Sequence, residues 1–230
     1  MFTREVDVWV ADISAVEIDE DLLSVSELGL ALSIGLSDRL SNYLAAQTWL
    51  RRQLSRYLDV PAEEIRFESD DQGRPRVVAP DTDLTFSLSS SGWAAALIVG
   101  FRKAVGIDVE TVAGASVEPK VIARTLTPAE TESYSCAIDP VRTFLRFRVR
   151  KDSLAKASGV VVDEGTEPVD VSGVCPIEID GFEIIDVNLG EELVAAVAVP
   201  PQTKLNLKLD DSMHAPVAAR SFRQPAAVAG

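Results

Sequence analysis

The sequence predicts an α+β fold in which one structural unit occurs twice. Some segments alternate apolar and polar residues as half-buried strands do, and two long segments have the apolar spacing of amphipathic helices. The same order of elements then recurs about 100 residues later, as in a duplicated unit. We therefore expect two subdomains related by a pseudo-two-fold axis, each with a strand, helices and two further strands. The matching positions are Val6 and Val105, Arg39 and Pro140, and Ala94 and Val194.

In the first half, the segment VDVWVADI at Val6 is predicted to be a strand. Ser37 is a good N-cap for a long helix over 38–58, and Pro61 opens a short helical turn. Further strands are predicted at 65–69 and in the segments LTFSLS and WAAALIVGF, which flank Ser90, Ser91 and Gly92.

In the second half, AVGIDVETV at 104–112 is again typical of a strand. Thr127 and Glu130 have capping-box spacing, with Pro128 at the first helical position, and so predict a helix start. A second, longer helix is expected to begin at Asp139-Pro140 and to end at Gly159. Two more strands are predicted, in FEIIDVNL and ELVAAVAV.

These elements divide the chain into three parts. Residues 1–102 are expected to form the N-terminal half and residues 103–200 the C-terminal half of the duplicated fold. After Pro200-Pro201 the sequence is rich in Ala, Pro, Ser and Gln, so residues 201–230 are expected to form a peripheral or loose tail.

Composition excludes several classes of function. The 230 residues contain 22 Lys and Arg against 36 Asp and Glu, a formal net charge of −14, which argues against nucleic-acid binding. The single histidine, His214, lies in the predicted tail, so a Ser-His-Asp triad, a Cys-His pair and a His-rich zinc site are not expected. Neither a phosphate-binding P-loop motif nor a dinucleotide-binding glycine motif is present.

The same composition predicts a cytoplasmic protein. Its two cysteines lie far apart, which favours a reducing compartment. The N-terminal segment has no basic patch followed by an apolar core, so no export signal is expected. The longest apolar run, at 93–101, is too short to span a bilayer.

Two clusters of charged residues stand out. Asp108 and Glu110 are two apart on a predicted strand, so both carboxylates face the same side and suit Mg²⁺, although a solvated strand face has the same pattern. The segment 142–158 has six cations and one carboxylate. On that helix Arg148, Asp152 and Lys156 share a face, either as a ladder of ion pairs or as phosphate-binding and metal-binding groups. Together the two clusters suit a metal bound to a polyphosphate.

The sequence GIDVE, followed by F-x(7)-D-x(3)-K in FLRFRVRKDSLAK, resembles the paired signatures of 4′-phosphopantetheinyl transferases. Their patterns are approximately G-[IV]-D-x-E and F-x-x-x-W-x-x-K-E-x-x-x-K. The resemblance extends to the first helix, to QGRPRV and to FSLSSSG, and covers roughly residues 5–200. The likeness is to the large monomeric type, which activates surfactin synthetase-like enzymes and serves fatty-acid, polyketide or nonribosomal-peptide biosynthesis.

This resemblance implies an enzyme that transfers the phosphopantetheine arm of coenzyme A to a serine of an acyl or peptidyl carrier protein. The reaction is Mg²⁺-dependent and releases 3′,5′-ADP. By position, Asp108, Glu110 and Asp152 correspond to metal ligands, and Asp152 is also a candidate general base. Asp152 and Lys156 are thus the expected catalytic residues. Those expected to bind coenzyme A are Arg74, Ser89, Ser90, Ser91, Lys151 and Lys156.

The chain departs from the family pattern at several positions. Ser87 replaces Asn, Ser90 replaces His, and Gln47 stands at a nucleotide-binding Arg. Arg148 replaces Trp, and Asp152 is one methylene shorter than the usual Glu. Arg148 lies one turn from Asp152, so it could pair with that carboxylate and draw it from the metal. Fewer charge-assisted contacts to phosphate predict weaker coenzyme A binding.

Three hypotheses remain open from the sequence. The chain is an active transferase, an inactive relative that binds a carrier protein or coenzyme A, or an unrelated α+β domain. The first implies coenzyme A, Mg²⁺ and a carrier protein as partners of a monomer, without nucleic acid or membrane. Carrier proteins are commonly acidic, so docking would use a local basic helix or an apolar patch.

Overall fold

The computed structural model describes residues 5–34, 38–70, 74–160 and 166–214. The described residues form an α+β fold, as the sequence predicts. The α-helices are α1 Val25–Ile34, α2 Asp38–Leu58, α3 Pro119–Thr125, α4 Pro128–Ser135 and α5 Pro140–Ser158. The strands are β1 Glu5–Asp12, β2 Arg66–Ser69, β3 Pro75–Ala79, β4 Leu84–Ser91, β5 Ala94–Phe101, β6 Gly106–Thr111, β7 Ile177–Ile179, β8 Phe182–Val187, β9 Leu193–Val199 and β10 Lys204–Leu209.

Two four-stranded sheets are built around the same antiparallel arrangement. The first has the order β10-β1-β5-β4 and the second the order β6-β9-β8-β7. In the first sheet β1 pairs with β5 and β5 with β4; in the second β6 pairs with β9 and β9 with β8. This pairing agrees with the predicted repeat, while the division of the chain at residues 102 and 103 remains a prediction. A separate hairpin joins β2 and β3.

The sheets pack face to face, and one long helix covers each outer face. Alternation along the strands places Val8 and Ile98 of the first sheet against Ile107 and Val197 of the second, all nearly fully buried. The outer face of the first sheet packs against α2 and that of the second against α5. The layers therefore run α2, sheet, sheet, α5, and burial of these apolar faces holds them together.

The start of α4 and both ends of α5 are where the sequence predicts them, while Ser37, the predicted N-cap of α2, lies outside the described residues. Asp139 caps α5 by accepting a hydrogen bond from the backbone N–H of Arg142, and Gly159 ends it in the left-handed region at φ 75°. Thr127 and Glu130 form the predicted capping box of α4. Local sequence therefore determines how α5 enters and leaves the fold.

Each long helix carries one buried arginine, and the two occupy equivalent positions in the repeat. Arg51 of α2 is 2% exposed and Arg150 of α5 is 3% exposed. Each guanidinium pairs with one carboxylate and donates to two backbone carbonyls of neighbouring segments. Arg51 bonds Glu27, Ala62 and Ile65, and Arg150 bonds Asp186, Val171 and Gly173.

Residues 204–209 form a strand inside the segment that the sequence predicts to be a peripheral or loose tail. This strand, β10, lies at the edge of the first sheet and pairs in parallel with β1. The alternation of Leu205, Leu207 and Leu209 is a local signal of a strand. It was missed because the prediction for the tail was based on the composition of residues 201–230 as a whole. Residues 215–230 lie outside the described residues, as does the side chain of His214.

Other elements were also not predicted, namely α1, α3, β3 and β7. These are short or weakly patterned, and β3 and β7 depend on pairing with a neighbouring strand. None of the helices in the described parts of the chain has the length and apolar character needed to cross a membrane.

Candidate active site

The two carboxylates of β6 face α5, because side chains alternate along a strand and the other side of β6 is occupied by apolar residues. Ile107 and Val109 point into the core between the sheets. Asp108 and Glu110 therefore point to the opposite side, as the sequence predicts. Asp108 is buried at 6% exposure, while Glu110 is partly exposed.

Two serines of β4 hold these carboxylates. Ser89 Oγ donates to Asp108 Oδ1 over 2.6 Å, and Ser91 Oγ donates to Glu110 Oε2 over 2.6 Å. Strands β4 and β6 belong to different sheets, so serine side chains replace backbone pairing between them. Ser87 Oγ also accepts a hydrogen bond from the backbone N–H of Ile107. Ser89 and Ser91 thus orient the carboxylates, whereas the sequence assigns them to coenzyme A.

Ser90 lies on the other face of β4, where it is exposed to solvent. Its side chain therefore points away from the side on which Ser89 and Ser91 reach the carboxylates. The structure does not bring Ser90 into the cluster formed by β6 and α5. A role in binding coenzyme A remains a prediction for this residue.

Two cations of α5 meet the carboxylates from the helix side. Lys156 Nζ lies 2.7 Å from Asp108 Oδ1 and donates to the carbonyl of Ile107 over 3.1 Å. Arg148 lies between Glu110 and Asp152: Nη2 is 3.4 Å from Glu110 Oε1, and Nε is 3.5 Å from Asp152 Oδ2. The structure thus brings together Asp108, Glu110, Asp152 and Lys156, four of the residues predicted from sequence.

Asp152 is the carboxylate whose protonation responds most clearly to this arrangement. Partial burial raises its pKa to about 6, and the charge of Asp108 adds to the rise. Arg148 and Lys156 oppose the rise because each stabilises the ionised form. A carboxyl with a raised pKa is a suitable proton acceptor near neutral pH.

Gly106 permits this approach between strand and helix. A Cβ placed on it would lie 2.0 Å from the carbonyl oxygen of Ser153 and 2.7 Å from the backbone nitrogen of Ala157. Both atoms belong to α5, so only glycine lets β6 and the helix pack this closely. Gly106 belongs to the segment GIDVE, but its contact with α5 has no local signal in the sequence, so no role for it could be predicted.

Arg74 comes from the first half and reaches the C-terminal end of α5. Its Nε lies 2.7 Å from Asp70 Oδ2, and its Nη1 donates to the carbonyl of Ala157 over 3.4 Å. About 40% of the side chain is exposed. Arg74 therefore lies one residue along the helix from Lys156, in a position from which a guanidinium can meet a phosphate.

Lys151 contacts a different set of groups. Its Nζ lies 2.6 Å from Glu130 Oε2 and donates to the carbonyl of Thr125 over 2.8 Å. Glu130 is fully buried and also accepts from the backbone N–H groups of Thr127 and Val171. Lys151 therefore joins α5 to α4, and the structure does not place it with the carboxylates of β6.

Replacing Lys151 with methionine is expected to lower the free energy of unfolding by about 3 kcal/mol or more, because the buried Glu130 would lose its cation. Urea denaturation followed by circular dichroism measures this change. Lys120→Met, which removes an exposed lysine of α3, serves as the control and should shift stability by no more than about 0.5 kcal/mol. Unchanged stability together with weaker coenzyme A binding would support the coenzyme A role predicted from sequence instead.

A groove of about 610 Å³ lies apart from this cluster. It is formed by the start of α5 and the loop that joins β8 to β9, and its lining includes Arg142, Arg146, Asp186 and Leu189. None of the predicted site residues lines it. The candidate site lies where β4, β6 and α5 meet, and no residue of that cluster lines the groove.

The donor set suits a hard divalent cation, although the side chains are not arranged as a set of ligands. Within the described ranges, no three His, Cys, Asp or Glu side chains are close enough to hold one ion. Asp108, Glu110 and Asp152 nevertheless supply carboxylate oxygens of the kind that Mg²⁺ prefers. Their charge is shared instead with Lys156 and Arg148. The donors are therefore of the type that magnesium prefers, while the described side chains do not form a set of ligands around one ion.

No protein-family model matches the chain. Over 167 residues the chain is 26% identical to 4′-phosphopantetheinyl transferase HetI from Nostoc sp. (strain PCC 7120), an alignment that covers 69% of this chain and 70% of that protein. The chain is similar to a phosphopantetheinyl transferase. This similarity agrees with the resemblance found in the motifs, and the α+β fold is compatible with it.

The pairing of Arg148 with Asp152 could be predicted from the sequence, but the contact of Arg148 with Glu110 was not predicted. The first pair is four residues apart on one helix and can be predicted from spacing. The second joins residues of α5 and β6 that are far apart in the chain. The sequence does show acidic residues on β6 and basic residues on α5. Only the packing of the helix against the strand shows which of these residues pair.

Proposed function

We propose that the chain transfers the 4′-phosphopantetheine arm of coenzyme A to a serine of an acyl or peptidyl carrier protein. The observation that supports this most is the convergence of both signature segments. Asp108 and Glu110 of β6 meet Arg148, Asp152 and Lys156 of α5 within one cluster. The similarity to a phosphopantetheinyl transferase over more than two thirds of the chain supports the same reaction class.

In the proposed reaction, the serine oxygen of the carrier attacks the phosphorus that bears the pantetheine arm. The bond between that phosphorus and the bridging oxygen of the diphosphate breaks, and 3′,5′-ADP leaves with the electron pair. Asp152, which lies in the same cluster, accepts the proton of the serine hydroxyl. Lys156 is placed to balance negative charge that develops on the phosphate oxygens.

Asp108, Glu110 and Asp152 are the groups that would hold magnesium. When bound, that ion neutralises charge on the diphosphate. Ser89 and Ser91 keep the two β6 carboxylates in place through their hydroxyl groups. These hydrogen bonds reduce the freedom of the carboxylates and so preorganise the ligands.

Arg74 is the candidate for the nucleotide end of coenzyme A. It lies beside the C-terminal end of α5 and keeps a large exposed fraction, so its guanidinium can reach a phosphate in solution. Ser90 remains a second candidate because its side chain is open to solvent. The resemblance also assigns Lys151 to coenzyme A, and this stays a prediction for a lysine whose ammonium group pairs with Glu130 in the structure.

We further propose that the chain is of the large monomeric type and works in the cytoplasm, in fatty-acid, polyketide or nonribosomal-peptide biosynthesis. The support is the predicted duplication, which the repeated strand pairing of the two sheets matches. The net charge of −14 means that long-range attraction would not bring an acidic carrier protein to the chain.

A second candidate is an inactive relative that binds a carrier protein or coenzyme A without turnover. The observation that favours this candidate is that Arg148 forms ion pairs with both Glu110 and Asp152. A guanidinium on two candidate ligands leaves fewer oxygens free for a metal. The two candidates differ in whether a carrier serine is modified.

The first experiment is calorimetric titration of coenzyme A into the purified protein, with and without Mg²⁺. We expect binding that Mg²⁺ strengthens about tenfold, equivalent to about 1.4 kcal/mol. A panel of apo carrier proteins with Mg²⁺, analysed by mass spectrometry, then separates the transferase from the inactive relative. No coenzyme A binding under either condition would contradict the transferase and leave an inactive relative that binds only a carrier protein, or an unrelated domain. Binding without any modified carrier would favour the inactive relative.

A further inference from the structure

Arg148 is one of two cations of α5 that contact the candidate metal-binding carboxylates, and the other is Lys156. The Arg148 guanidinium touches two carboxylates from two different elements through two different nitrogens. Nη2 is 3.4 Å from Glu110 Oε1 on β6, and Nε is 3.5 Å from Asp152 Oδ2 on α5. The cation therefore occupies the space between two of the three oxygen donors.

These contacts are too long to be strong. Charge-assisted hydrogen bonds between guanidinium and carboxylate are about 2.7–2.9 Å long. The Arg148 side chain is also 45% exposed, so water screens both pairs. The bridge is therefore a weak one that another cation could replace.

Two other carboxylate oxygens of the cluster have closer partners than the oxygens that Arg148 contacts. Asp108 Oδ1 accepts from Lys156 and from Ser89, and Glu110 Oε2 accepts from Ser91. Arg148 thus reaches the oxygen of Glu110 that no serine holds. A divalent cation binding to Glu110 and Asp152 would use the oxygens that Arg148 contacts, and its charge would repel the guanidinium.

We propose that Arg148 is an internal counter-ion that competes with the divalent cation for Glu110 and Asp152 and so sets the metal affinity of the site. The inference rests on the proposed function, because it takes the same carboxylates as ligands. It goes beyond that function by assigning the metal affinity to one residue. Tryptophan, which the resembling family has at this position, carries no charge and could not compete in this way.

The test measures metal binding alone, without coenzyme A. Mn²⁺ serves as the probe, with free Mn²⁺ followed by electron paramagnetic resonance and Mg²⁺ used as a competitor. Arg148→Met removes the charge and keeps most of the aliphatic stem. We expect it to bind Mn²⁺ about tenfold or more tightly than the unchanged protein, because a like charge a few ångströms from the ion is removed.

Arg146→Met is the matched control. Arg146 is an exposed arginine on the same helix, its guanidinium lies over the ring of Phe147, and it lines the groove away from the cluster. This variant changes the net charge by the same amount, so it should alter Mn²⁺ affinity by less than about threefold. Melting curves check that both variants fold, and Arg148→Ala repeats the test with a shorter side chain.

Equal Mn²⁺ affinity of Arg148→Met and the unchanged protein would overturn the inference. Weaker binding by the variant would overturn it as well, since Arg148 would then support the site. The absence of Mn²⁺ binding in all variants would show that Arg148 is not what limits the metal. These outcomes are separate from failure of the proposed function, which is tested by coenzyme A binding and carrier modification.

Discussion

Asp108→Asn will abolish transfer to the carrier protein, with the rate falling at least about a hundredfold. Asparagine keeps the shape of the side chain but removes the negative charge. The site would lose a metal ligand and the partner that holds Lys156 Nζ at 2.7 Å. The measurement is the initial rate of holo-carrier formation by mass spectrometry, at saturating coenzyme A and Mg²⁺.

The variant should stay folded because its neighbours retain partners. Ser89 can donate to the amide oxygen, and Lys156 is 35% exposed and can reach water. We expect a loss of unfolding free energy of no more than about 2 kcal/mol. Asp81→Asn, at an exposed loop carboxylate between β3 and β4, is the matched control and should keep the full rate.

An unchanged rate for Asp108→Asn would remove Asp108 from the metal site and with it the proposed mechanism. Glu110→Gln provides a second test on a more exposed side chain of the same strand. If both variants transfer normally, the convergence of β6 and α5 serves packing only. If both are inactive and folded, the carboxylates of β6 are required for the chemistry.

Gly106→Ala is expected to destabilise the fold strongly. The added Cβ would lie 2.0 Å from the carbonyl oxygen of Ser153 and 2.7 Å from the nitrogen of Ala157, and both are backbone atoms of α5. A backbone segment cannot rotate out of the way as a side chain does, so strand and helix must separate. We expect the free energy of unfolding to fall by about 3 kcal/mol or more.

Urea denaturation measures this loss, and Gly29→Ala is its control. Gly29 lies within α1, and a Cβ there would meet nothing within 4 Å. Alanine at that position should therefore stabilise the protein by about 0.5–1 kcal/mol through helix propensity. A loss below about 1 kcal/mol for Gly106→Ala would show that β6 and α5 are less tightly packed than the structure indicates.

The elements that could be predicted are those with local signals. Both ends of helix α5 were predicted. Asp139 and Pro140 start the helix and Gly159 ends it, and such capping depends only on residues nearby in the sequence. The same holds for the capping box of α4 and for the alternating strands β1 and β6. Strand β10 was missed, because its strand pairing is with β1 at the far end of the sequence.

The candidate site shows the same division. The signature spacing identified Asp108, Glu110, Asp152 and Lys156, and the structure brings these four together. The family resemblance also assigned Lys151, the residue before Asp152, to coenzyme A binding, which stays a prediction. Adjacent residues of a helix point in directions about 100° apart, so Lys151 meets Glu130 and not the β6 carboxylates.

The sequence by itself determined the α+β class, the order of the repeated elements and the residues that carry charge at the candidate site. These follow from periodicity, caps and motif spacing, which act over a few residues. Tertiary structure alone decided that serines of β4 hold the β6 carboxylates, that Gly106 admits α5, and that Arg148 bridges Glu110 and Asp152. Each of these contacts joins elements distant in the chain, and only the packing of the two sheets and α5 brings them within reach.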